Sequence, residues 1–332
     1  KTKMLTGWFD THMADLNQND KRLMQYLTQN SVWWVEYAGL DAIRMDTWPY
    51  PYKEAMAEWA RYIHEEYPDL TILAETWEQT IPTTAFWQES SPLQHGFKSG
   101  VNTVTDFPMF YAISSAFNEE NGWTQGLSRL YYHMAQDFVY GDPSKIVAFA
   151  DNHDLNRLAE TYDGDLNKIK MALVFLLTTN RIPQIYYGTE IAMRGQEHKG
   201  HGFIRQDMPG GWAKDTVNIF DQKNLNQEQT EMYSFLQNLL NWRKTCTVVH
   251  SGKFMHFVPE NGVYVYFRYN ESKTIMVAIN HSKEGKNLDL ARYKERLGSF
   301  SKGQNVLEGK HMENLNEITL AKQSAVIIEL EP

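Results

Sequence analysis

Apolar residues recur at helical spacing between Lys21 and Tyr37, at Leu23, Met24, Leu27, Val32 and Val35, and the run stops at Gly39. That spacing predicts a helix closed by a glycine. A strand is predicted next, over about 40–46, where Ala42 and Ile43 are followed by Arg44 and Asp46, two apart. A second helix runs from Glu54 to Glu66, with Ala55, Trp59, Tyr62 and Ile63 on one face, and halts before Pro68. Short apolar runs then end in polar residues: 70–74 at Glu75, 101–104 at Thr105-Asp106, 146–150 at Asp151-Asn152-His153-Asp154, and 182–187 at Gly188-Thr189-Glu190. Helices are predicted between them at 108–117, 124–138 and 166–179. A Gly-rich loop (195–226) leads to a last helix, about 227–244.

Strand–helix alternation is the signature of a parallel α/β fold, and in such folds the C-terminal strand ends build the functional site. No Gly-x-Gly-x-x-Gly and no Gly-x-x-x-x-Gly-Lys-Ser/Thr follows any of the strands, which disfavours a nucleotide-binding open sheet. After Cys246 the texture changes. Runs at 252–258, 263–269, 274–280 and 324–330 are β-rich and separated by turn residues, with 288–297 as the one candidate helix. An all-β antiparallel sandwich is expected there, over 248–332, following an α/β domain over 1–247.

Composition narrows the function classes. At 332 residues one large and one small domain fit the length. The net charge of −9 argues against a nucleic-acid partner, whose usual footprint is a basic patch. The longest apolar run, Met171 to Leu177, is too short to span a membrane. A single Cys246 rules out an intrachain disulfide and leaves the compartment open. The 10 Trp and 18 Tyr suit either core filling or sugar stacking.

Candidate chemistry sits at four strand ends: Arg44 with Asp46, Glu75, Asp106, and His153 with Asp154. Residues i and i+2 of a strand share a face, so Arg44 and Asp46 leave the first strand side by side. Taken singly, each has a plainer role. Asp106, before Phe107-Pro108, reads as a helix cap, and His153 alone as a structural histidine. Several carboxylates at one end of a fold are harder to explain structurally, because like charges brought close raise one another's pKa. One ionised carboxylate beside an arginine and another held protonated is the arrangement that glycoside hydrolysis requires.

Gly39-Leu-Asp-Ala-Ile-Arg-Met-Asp46, Leu73-Ala-Glu75-Thr-Trp77 and Phe149-Ala-Asp-Asn-His153-Asp154 resemble, in order and spacing, three signature regions of the α-amylase family (glycoside hydrolase family 13). Met13-Ala-Asp15-Leu-Asn17 looks like the short motif that precedes them, and Ile182-Pro-Gln-Ile-Tyr-Tyr187-Gly-Thr-Glu190 like the eighth-strand motif. The resemblance covers roughly residues 5–245. It implies a (β/α)8 TIM barrel acting on α-1,4-linked glucose oligomers by hydrolysis with retention, or by transglycosylation. Asp46 is then the nucleophile, Arg44 the group keeping it ionised, and Glu75 the general acid and base. Asp154 stabilises the distorted sugar, and His153 hydrogen-bonds it. Retention predicts an Asp46–Glu75 carboxylate separation of roughly 5–5.5 Å. Trp48, Trp77 and Tyr50, beside catalytic positions, are weighed between sugar stacking and core packing. A non-catalytic relative would be expected to lose one of the three carboxylates, and all three are present.

Two departures change the picture. Where the family often has Lys-His after the nucleophile, with the His carbonyl on a structural calcium, this chain has Trp48-Pro49-Tyr50. No cofactor is expected for the chemistry, and a structural calcium would lack its usual ligand. This points toward the cyclomaltodextrinase/neopullulanase branch, as does Arg205-Gln-Asp207-Met-Pro209-Gly-Gly. Second, the Asp-x-x-x-Asn-His of the third strand has no counterpart. The five strands match the fourth through eighth, so the sequence reads as the C-terminal part of a longer enzyme, with a proteolytic product or a truncated gene model among the alternatives. Five strands leave two edges. Either an N-terminal segment on another chain or contact between copies is expected to cover them.

Overall fold

The computed structural model describes residues 5–298 and 300–331. It divides into two compact units, neither continuous in sequence: Lys1–Pro108 with Gln136–Ala148, and Met109–Ala135 with Phe149–Pro332.

In the first unit, the helix Lys21–Ala38 starts at Asp20, whose side chain accepts from the Arg22 N–H. It ends at Gly39, which adopts φ 62° and returns its N–H to the Val35 carbonyl. A glycine suits that left-handed position because it has no Cβ to clash. The helix Lys53–Glu66 buries Met56, Trp59, Ala60 and Ile63. Three parallel strands lie in the order β1 (Ala42–Met45), β2 (Thr71–Ala74) and β3 (Thr103–Val104). Thr105, just past β3, bridges in parallel to Val147 at the start of β4 (Val147–Phe149). Trp48, Trp59, Ile63, Ile72, Val104 and Tyr140 belong to the core beneath the strands.

In the second unit, the helix Leu166–Thr178 is wholly apolar and buried from Met171 to Leu177, as a stretch without a polar face must be. Asp165 caps its start. The strand β5 (Ile182–Gln184) follows it, and a long helix, Gln227–Thr245, opens with a reciprocal capping box between Asn226 and Gln229.

The C-terminal part of this unit is β. Strands β6 (Lys253–His256), β7 (Val263–Tyr269), β8 (Thr274–Asn280), β10 (Lys302–Asn305), β11 (Lys310–Met312) and β13 (Ser324–Glu331) form an antiparallel sheet in the order β11-β10-β13-β8-β7-β6. A second antiparallel pair joins β9 (Lys286–Asp289) to β12 (Glu317–Leu320). Val265, Phe267, Met276, Ala278, Ile318 and Leu320 share one buried cluster. The alternate residues of β7 point the other way, where Tyr264 and Tyr266 meet Phe175 of the helix Leu166–Thr178. Arg268 continues that face and is 1 % exposed. Its guanidinium donates to the carbonyls of Thr178, Thr179, Val249 and Gly252. These are the ends of the helices Leu166–Thr178 and Thr247–Ser251, whose last carbonyls have no partner within the helix.

Two predicted elements differ from those observed. Residues 288–297 are not one helix. They run from the end of β9 through a 3₁₀ turn at Leu290–Tyr293 into a single helical turn at Lys294–Leu297. The predicted helix over 124–138 is confined to Ser128–Met134, because Gly126 sits at φ 61° and breaks the backbone before it.

Candidate active site

Two catalytic candidates lie in the first unit. The β1–β2 ladder continues past the strand ends, with the Glu75 N–H on the Met45 carbonyl and the Trp48 N–H on the Glu75 carbonyl. This pairing sets Glu75 beside the Arg44–Asp46 corner. The Arg44 guanidinium donates through Nη1 to Asp46 Oδ1 and through Nη2 to Glu75 Oε1, each at 2.5 Å. One cation thus joins both carboxylates. Glu75 is 3 % exposed, whereas the Asp46 side chain is 62 % exposed. Burial is the main reason the Glu75 carboxyl is held above its ordinary value, and the neighbouring Asp46 adds to it. The Thr47 N–H, 2.9 Å from Glu75 Oε2, and the Arg44 charge pull the other way. A buried carboxyl whose pKa is raised, beside an exposed carboxylate held by an arginine, is the kind of pair that glycoside cleavage uses.

Thr47 was not foreseen as part of this site. It sits at φ 48°, a left-handed backbone that β-branched residues rarely adopt, and this turn aims its N–H at Glu75. Thr76, next to Glu75, ties β2 to the following strand end by donating its N–H to the Thr105 hydroxyl and its own hydroxyl to the Thr105 carbonyl.

The aromatic residues separate. Trp48 is 1 % exposed and packs at 6.3 Å from Trp59, so its role is core packing and the sugar-stacking alternative is withdrawn. Trp77 is partly buried and stacks on Phe107 with centroids 4.6 Å apart. Tyr50 is also partly buried, edge-on to Phe9. Asp106 is fully buried at the end of β3.

His153 and Asp154 lie in the second unit, on the loop after β4. His153 Nε2 is 3.1 Å from Asp154 Oδ2, and Arg205 clamps the pair, donating to Asp154 Oδ1 at 2.6 Å and to the His153 carbonyl at 2.9 Å. Asn152 Oδ1 accepts the Asp154 N–H. The sequence marks Arg205 only as part of the 205–211 segment, because its clamp on Asp154 depends on the fold bringing the two together.

Asp151 anchors this loop from below. Its carboxylate accepts from the Leu158 N–H and the Thr189 hydroxyl in a fully buried setting, and burial pushes its pKa up to about 6 from 3.8. Because the folded value is the higher one, the native state holds the proton more tightly. The stability that this group withholds therefore grows as pH rises from about 4 through 6, by about 3 kcal/mol. Asp151→Asn is accordingly expected to gain stability relative to the parent over that window. Paired denaturant melts at pH 4 and pH 7 check this, and an equal difference at both would refute it. Gly188, at φ 87°, lies under the same loop, where a Cβ would collide with Met193 Sδ at 2.4 Å.

Among the described residues no three His, Cys, Asp or Glu side chains gather as a metal-ligand set. Among the described residues no helix is long and apolar enough to cross a membrane.

Residues 4–245 match the family described as alpha amylase, catalytic domain, and residues 254–329 match the cyclo-malto-dextrinase C-terminal domain. The chain belongs to the α-amylase family. The family fold is a TIM barrel, here accompanied by a C-terminal antiparallel sheet domain. A cyclomaltodextrinase of Bacillus sp. is 23 % identical over 84 % of this chain and 46 % of its own length. A cyclomaltodextrin glucanotransferase of Klebsiella oxytoca is 23 % identical over 82 % of this chain and 43 % of its own. The chain thus spans less than half the length of these curated relatives. Among solved structures, the α-amylase of Geobacillus thermoleovorans, complexed with acarbose, superposes on the whole of this chain and 68 % of its own, with TM-score 0.81 and 22 % identity. This likeness is one of fold.

Proposed function

We propose that this family member is a retaining α-glucan hydrolase that cleaves α-1,4-glucosidic bonds in starch-type oligosaccharides, pullulan or cyclodextrins. In this reading β1 to β5 correspond to the fourth to eighth barrel strands, residues 1–247 are catalytic, and 248–332 form the accessory β domain. Asp46 attacks the anomeric carbon while Glu75 gives its proton to the departing oxygen. Water, deprotonated by Glu75, then releases the sugar from Asp46. Asp154 is assigned to the distorted sugar, with His153 hydrogen-bonding it, and no metal takes part in these steps. The observation that carries the reading is the single guanidinium joining an exposed carboxylate to a buried one whose pKa is raised. Together with the match to the catalytic-domain family, it favours glycosidase chemistry over a binding role.

The experiment is incubation with starch, pullulan and cyclodextrins beside a Glu75→Gln variant. Loss of the general acid is expected to cut sugar release by about 10²–10⁴-fold. Equal release by both proteins would remove Glu75 from the mechanism. The glucanotransferase among the relatives gives transglycosylation a claim of its own. Longer oligomers on adding a maltose acceptor would identify it.

A further inference from the structure

A cavity of about 750 Å³ lies wholly within the second unit, between the segment around Glu120–Tyr132 and the turns at Val258–Gly262 and His281–Lys286. That volume is within the range of small-molecule sites. Its lining combines two kinds of surface. Trp123 is 87 % exposed, and Tyr131 and Tyr132 line the cavity with it. An indole so fully in water, in company with two phenol rings, is an unusual use of aromatic surface in a protein that buries most of its core. Between the rings the lining is polar. Glu120, Glu260 and Glu284 face Lys283 and Lys286, with Lys283 and Glu120 paired at 2.6 Å. The charges nearly cancel, which suits neither a polyanion nor a cation. A lipid chain would find too many polar groups.

His281 lines the same groove. Its Nε2 is 3.1 Å from the Phe117 carbonyl, an acceptor, so Nε2 carries the proton. Burial lowers its pKa, which keeps the ring neutral at pH 7. A neutral ligand with apolar faces and many hydroxyls suits this mixed lining.

We propose that this groove is a non-catalytic binding site for an α-linked glucan chain, with Trp123 as its stacking platform. The proposal rests on the α-glucan reading above for the identity of the sugar.

The test is oxidative footprinting of the protein with and without maltoheptaose, reading Trp123 oxidation by peptide mass spectrometry, beside amylose affinity electrophoresis of Trp123→Ala and Trp123→Phe. Trp123 is expected to be protected by maltoheptaose. Trp123→Ala should weaken amylose retardation by about tenfold, and Trp123→Phe should retain most of it. Its exposure makes unchanged melting the expected control. Retardation by amylose with Trp123 unprotected would overturn the groove while leaving the α-glucan reading intact. Protection of Trp123 by cellohexaose or xylohexaose but not by maltoheptaose would overturn the proposal while leaving the α-glucan reading to the Glu75→Gln assay. No retardation and no protection by any of these sugars would also overturn it.

Discussion

Asp46→Ala is expected to lower glucan cleavage by at least about 10⁴-fold, the largest effect of any single replacement in this chain. Asp46 is the carboxylate that Arg44 holds on the open side of the pair, and in the proposed mechanism its removal leaves no group to form the covalent intermediate. The same variant offers a gain-of-function readout. Azide can enter the space that Asp46 vacates and attack the anomeric carbon from the same side. The C–O bond to the leaving sugar breaks, the departing oxygen takes its proton from Glu75, and the product is a β-glucosyl azide. Recovery of cleavage with azide, and the β configuration of that product by NMR, are the expected results. An α-azide, or undiminished cleavage without azide, would assign the nucleophile elsewhere. Glu75 should respond too. With the Asp46 charge gone, one of the influences that raise its pKa disappears, so the limb of the azide reaction governed by its proton should shift to lower pH.

The second large effect concerns stability. Arg268→Ala is expected to cost at least about 3 kcal/mol and to lower Tm by roughly 10 °C. Burial pulls the Arg268 pKa down to about 10, yet the group stays charged at neutral pH. A cation at two helix C-termini is favourably placed against their dipoles and satisfies carbonyls that water cannot reach. Alanine removes the donor and leaves four carbonyls without it. Arg268→Lys, with one compact ammonium in place of a planar fork, should recover less than half of the loss. Thermal and denaturant melts of both variants check this, and an alanine variant within 1 °C of the parent would show that the carbonyls find other partners.

Periodicity made much of the scaffold legible. The helices Lys21–Ala38, Lys53–Glu66 and Leu166–Thr178 and the strands β7, β8 and β13 fall where the apolar patterns place them, because burial of those side chains is what selects the elements. Strands β9 to β12 were not legible. Lys-Gly-Gln-Asn of β10 has neither alternation nor β-branched residues, and it is a strand because β11 and β13 flank it. At the site, residue order was enough to single out Asp46, Glu75, His153 and Asp154 as candidates. Trp48 shows where such reading stops, since a tryptophan two residues from a carboxylate is compatible with either face of the chain, and only packing decides. Thr47 was hidden for a different reason. A threonine in left-handed backbone contradicts local preference, and such departures are characteristic of functional turns.

The division into compact units bears on inheritance as well as on mechanics. The chain crosses from one unit to the other after Pro108, after Ala135 and after Ala148. The first unit depends on the returning segment: Tyr140 and Ile146 belong to its core, the Val139 carbonyl accepts from Ser91, and Asp142 exchanges hydrogen bonds with Gln88. A single recombination point can therefore never exchange either unit whole. A chimaera joined at residue 108 would receive the Asp46–Glu75 pair without part of the core that supports it. The unit that carries this chemistry can be transplanted intact only by crossovers at both ends of the 109–135 excursion and again after Ala148, which makes it a poor cassette for domain shuffling.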